Sequence, residues 1–162
     1  MASPKYPLKP LLEHRERAAR DRTAELGGAV RARETAELAK ERAEATKREA
    51  ESADAAVRAE EADLLDQGEL RAVDLARGQA WEIGAQARLA DLTRTVDVAG
   101  RRAVEARTAE DGARTELAGA LADRDVVAKD EARFRARHEK KVLAAEEEQA
   151  EEAFRPTRGV RG

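Results

Sequence analysis

Stepping through the chain by sevens separates apolar from charged positions over most of its length. One series runs Ala29, Ala36, Ala43, Ala50, Val57 and Leu64, and three residues after its first four members stand Ala32, Ala39, Thr46 and Ala53. Such spacing lays a stripe along one side of an α-helix. These positions therefore predict an alanine seam, with the intervening Arg, Glu and Asp facing water. A second block runs Ala85, Leu92, Ala99, Ala106, Ala113, Ala120, Val127 and Phe134, accompanied four residues on by Leu89, Val96, Ala103 and Leu117. The blocks fall out of phase between Leu64 and Ala85, where a turn is expected.

The helix breakers agree with this division. All four prolines lie near the ends, as Pro4, Pro7, Pro10 and Pro156, so the interior can be helical throughout. Gly68, Gly78 and Gly84 are the candidate corners. Gly68 is favoured, because Leu64-Leu65-Asp66-Gln67-Gly68 places glycine just past a last helical turn, where a left-handed backbone suits it. The prediction is all-α and a single domain: helix 8–66, a turn at about 67–71, helix 72–153 and a flexible tail 154–162. The two long helices form an antiparallel coiled-coil hairpin, the second being longer and overhanging.

With the corner near residue 70, positions whose numbers sum to about 140 should face each other. That sets Gly27 and Gly28 opposite Gly112 and suggests a close approach of two backbones there. It also leaves Phe134 to Ala153 without an intramolecular partner. This overhang carries Arg133, Arg135, Arg137, Lys140 and Lys141, followed by Glu146, Glu147, Glu148, Glu151 and Glu152.

Composition narrows the fold class further. Of the 162 residues 37 are alanine, whereas Leu, Ile, Val and Phe together make 27, too few bulky side chains to fill an ordinary globular core. Charged residues make up 40% of the chain, yet 31 basic against 34 acidic side chains leave a net charge of −3, so no basic surface for nucleic acid is expected. Alanine seams bury little area, which predicts marginal stability with fraying near Gly27-Gly28 and the overhang. Cysteine is absent, which fits a reducing compartment, and no stretch has the roughly 18 uncharged residues of a membrane span. The expected location is the cytoplasm.

Catalytic chemistry finds no foothold in the sequence. No phosphate-cradling GxxxxGK occurs, and His14 and His138 stand in no metal-ligand spacing. Ser3 and Ser52 have no base in reach, and a two-helix coil offers no cleft to shift a carboxylate. The reading is of a protein that is not an enzyme and holds no cofactor or metal. Trp81 reads first as a cap on its own hairpin and second as an anchor for a partner. Tyr6, Leu8, Leu11 and Leu12 form an apolar cluster that either closes the open end, near Phe134, or docks a partner.

The opening YPLKPLLEHRERAARDRTAEL, the alanine-rich seam, the glycine-bearing break and the closing RFRARHEKKVLAAEEEQAEEAFRP resemble the type III secretion stalk family, FliJ-like in flagella and YscO-like in injectisomes. The resemblance implies an antiparallel two-helix coil that inserts in the pore of a hexameric secretion ATPase and touches the export gate. Export chaperones are further partners it implies, and attachment to the inner membrane would come through the apparatus. By position it nominates Leu8, Leu11, Leu12, Phe134, Arg135, Arg137 and Lys141 for the ATPase side, and Ala50, Val57, Trp81 and Leu89 for the gate side. Two other classes fit the same composition. A generic coiled-coil adaptor or oligomerising rod would zip its heptads between chains and dissociate on dilution. A desiccation-protection protein would be disordered in dilute buffer and favour repeats of eleven.

Overall fold

A computed structural model of the chain describes residues 4–154. It contains two α-helices, α1 (Lys9–Asp66) and α2 (Ala72–Phe154), and no strand among the described residues. The fold is an all-α helical hairpin, with α2 at 83 residues against 58 for α1. Helix bounds fall within one residue of those predicted. Ser3, Pro156 and the tail expected after Phe154 lie outside the described residues.

The corner is built as the glycine predicts. Gly68 has φ +70°, its amide donates to the Leu65 carbonyl at 3.0 Å, and the Glu69 amide donates to the Leu64 carbonyl at 3.0 Å. These paired bonds satisfy the last carbonyls of α1 and reverse the chain. α2 then starts with a reciprocal cap. The Arg71 amide donates to the Asp74 carboxylate at 3.1 Å while the Asp74 amide donates back to the Arg71 carbonyl at 3.0 Å. Gly78 and Gly84, the other candidate corners, are interior to α2.

Contacts divide the chain into two compact units, one of Glu25–Arg114 and one joining Met1–Ala24 with Thr115–Gly162. In the first, α1 and α2 run antiparallel, with Arg33 facing Glu110, Glu37 facing Arg107 and Asp54 facing Arg88. Their numbers sum to 142–144, close to the expected register. The α2 half of the seam is as predicted: Ala85 and Ala103 are buried, and Leu89, Leu92, Val96, Ala99, Ala106 and Ala113 are half-buried.

The α1 half differs by one helical position. Ala36, Ala43 and Ala50 are half-buried, but the predicted companions Ala32, Ala39, Thr46 and Ala53 are exposed. The positions turned to α2 lie three residues before the alanine series instead, and they are Arg33, Lys40, Lys47, Asp54 and Glu61. A seam packed on alanine tolerates this, because long cationic stems lie across the apolar surface and carry their heads to the rim. Lys40 and Lys47 reach Glu44 and Glu51 there, each at 3.7 Å. The close approach expected at Gly27, Gly28 and Gly112 is absent: a Cβ added at Gly28 or Gly112 would meet nothing within 4 Å.

The unit holding the chain ends has a small apolar core of Tyr6, Leu12 and Val127, with Ala128 and Phe134 packed against it. Arg15–Asp123 at 3.1 Å and Arg22–Glu116 at 2.5 Å cross between the helices. The Tyr6 and Phe134 rings pack tilted at 57° with centroids 5.5 Å apart, so Phe134 is half-buried and the uncovered stretch of α2 begins later than expected. From Lys140 to Phe154 every residue but the half-buried Val142 is exposed.

Candidate partner-binding surfaces

In the unit of the chain ends, the segment Pro4–Pro10 lies along α2 and forms a groove of about 850 Å³ with Glu131, Arg135, His138 and Glu139. Tyr6 anchors it. Its hydroxyl donates to the Asp130 carboxylate at 2.6 Å, and burial, followed by that bond and the nearby Asp130 and Glu131 charges, pushes its pKa up to about 12.

The residues nominated for the ATPase side separate into two groups here. Leu12 is buried and Phe134 is packed on Tyr6, so both close the hairpin's open end. Leu8 and Leu11 remain 44% and 38% exposed. Arg135, Arg137 and Lys141 are exposed as well, Arg135 holding Glu131 at 2.7 Å and Arg137 donating to the Arg133 carbonyl at 3.3 Å.

Of the residues nominated for the gate side, Val57 and Trp81 line a single corner groove of about 300 Å³ with Leu64, Leu70 and Gly78. Trp81 is half-buried there and Val57 is 41% exposed. Ala50 and Leu89 are half-buried seam positions and line no part of that groove.

Two features of the Glu25–Arg114 unit escape the sequence reading. One is a shallow groove of about 860 Å³, floored by Ala32, Ala36, Ala39 and Ala43 with Val98 and Ala99 opposite. The exposed alanines mistaken for seam form its α1 wall, and their spacing was its signal. The other is an ionic knot inside the seam. Arg33 donates to Glu110 at 2.5 Å and to Glu37 at 2.7 Å, while Arg107 donates to Glu37 at 2.7 Å. Arg107, ahead of Arg33, holds the Glu37 carboxyl below its usual range against the opposing effect of burial.

No group of three or more His, Asp or Glu able to hold a metal occurs among the described residues. Among the described residues no helix is long and apolar enough to cross a membrane. Comparison with known proteins finds no matching family model, no matching curated protein and no matching solved structure.

Proposed function

We propose that the chain is the central stalk or coupling protein of a type III secretion ATPase complex. In this reading it is a cytoplasmic, non-enzymatic hairpin whose chain ends bind the pore of the hexameric ATPase and whose corner meets the export gate, promoting protein export. One observation supports it above the rest. The unit holding the chain ends presents Leu8 and Leu11 together with Arg135, Arg137 and Lys141 to solvent, beside a packed core that uses other residues. Apolar anchors beside exposed cations suit a partner with an acidic, partly apolar lining, and a coil of mixed charge offers a different face to each subunit around it.

The corner groove of Val57 and Trp81 supplies a smaller second contact, suited to the gate. Unloaded export chaperones are further partners of the same surfaces. Hydrolysis of ATP belongs to the ring. The test is co-purification of the full chain with a hexameric type III secretion ATPase. Wild type should be retained, and the triple variant Arg135→Glu, Arg137→Glu, Lys141→Glu should be lost while keeping its helicity. Failure of the wild type to bind, or equal binding by the triple variant, would overturn the assignment.

A further inference from the structure

The exposed end of α2 carries a charge pattern that reads as its own complement when reversed. Residues spaced three or four apart share one side of a helix, and from Arg137 that side runs through Lys140, Lys141 and Ala144 to Glu147, Glu148, Glu151 and Phe154. All are exposed. Ala144 is its midpoint. Arg137 and Glu151 lie seven residues to either side, and Phe134 and Phe154, the chain's two phenylalanines, lie ten to either side.

Among the described residues no opposite charge within the helix satisfies Lys140, Lys141, Glu147 or Glu148. Lys140 and Lys141 have alanines at the positions four residues on, and the glutamates begin too far along to be reached. Like charges fall four apart in both halves, Arg137 with Lys141 and Glu147 with Glu151, which disfavours the helix standing alone. Among the described residues Lys140, Lys141, Glu147, Glu148 and Glu151 form no ion pair.

We infer that this face binds a second copy of the chain, the two α2 ends pairing antiparallel about Ala144. Reversal sets Lys140 and Lys141 of one copy against Glu148 and Glu147 of the other, and Arg137 against Glu151. A parallel pair would set like against like, and a partner of one sign would satisfy half of the face. The same register brings Phe154, 87% exposed, to the level of the other copy's Phe134. The inference goes beyond the secretion reading and does not rest on it, since the chain is tested alone. The dimer and an ATPase would compete for Arg137 and Lys141.

Sedimentation equilibrium of the full chain should show a monomer–dimer equilibrium that weakens with added salt. Lys140→Glu with Lys141→Glu leaves the face acidic except at Arg137, and Glu147→Lys with Glu148→Lys leaves it basic except at Glu151. Each double variant should keep its helicity and weaken self-association at least about tenfold. Mixing the two should restore a one-to-one dimer. Orientation is read separately: Ala144→Cys should oxidise readily to a disulfide-linked dimer, and Arg137→Cys should not. A strict monomer at every concentration, a dimer indifferent to both double variants, a mixture that fails to pair, or ready cross-linking at position 137 would each overturn the inference.

Discussion

Arg33 and Glu110 meet inside the helical seam, the guanidinium Nε donating to the carboxylate at 2.5 Å across 77 residues of chain. Glu110 is 3% exposed, and its second oxygen is taken by Arg114 from one turn further along α2. Asp54 occupies a comparable buried position with 4% exposure, but its pairing is incomplete: Arg88 binds Oδ1 at 3.1 Å and Oδ2 has no hydrogen-bond partner.

The two acids should therefore respond oppositely to an apolar substitution. Glu110→Ala strips Arg33 and Arg114 of a shared partner and should cost about 1–3 kcal/mol. Asp54→Leu removes a half-satisfied buried carboxylate, frees an Arg88 that is already half in water, and should stabilise by about 1–3 kcal/mol. Urea unfolding followed by circular dichroism measures both, and the prediction fails if the two changes share a sign.

Gly28→Ala and Gly112→Ala should each raise stability by about 0.5–1 kcal/mol. A methyl group at either site meets no neighbour within 4 Å, so only the helix-propensity gain remains. In thermal melting each change should move Tm upward by a few degrees, roughly 2–4 °C per kcal/mol. A fall in Tm would restore the close backbone approach that glycine spacing first suggested.

Gly68→Ala should act in the other direction. An alanine held at φ +70° carries a left-handed penalty of about 1–2 kcal/mol, and open space around the site gives it nothing in return. The loss should appear in the same unfolding curves, and a neutral effect would mean that the corner is held by something other than its paired carbonyl bonds.

Tyr6 gives the chain-end unit a response to alkali. Its phenol ionises near pH 12 in the folded chain, above its ordinary value near 10, so the folded state keeps the proton while the unfolded state loses it. The stabilisation is complete below about pH 10 and declines as pH rises from 10 towards 12. Because this is the chain's single tyrosine, phenolate absorbance reports it without overlap. Tyr6→Phe keeps the ring against Phe134, loses the bond to Asp130, and should flatten the dependence of stability on pH across that window.

The architecture was legible because its determinants are local: prolines confined to the ends, a glycine in the left-handed region, and two phases of a seven-residue spacing. The α2 seam was legible for the same reason, its apolar positions repeating without interruption from Ala85 to Phe134. The α1 seam was not. Ala32 and Arg33 are adjacent, both fit a heptad with Ala36, and hydrophobicity alone selects the alanine. What selects Arg33 is Glu110 on the other helix, a contact that periodicity within one helix does not contain. The partner surfaces divided similarly. Leu8 and Leu11 face solvent as a docking role requires, while Leu12 is claimed by Tyr6 and Val127, a distinction set by packing across the hairpin.

Residues 33 and 110 also offer the sharpest probe of the fold, since the chain has no native cysteine to interfere. Arg33→Cys with Glu110→Cys, treated with a short bismaleimide at high dilution, should give an internally linked monomer in high yield. Moving the first site to Ala32→Cys should lower that yield severalfold, because Ala32 faces outward. Links forming between chains, or equal yields from positions 32 and 33, would contradict a single chain folded back on itself with charged residues in its seam.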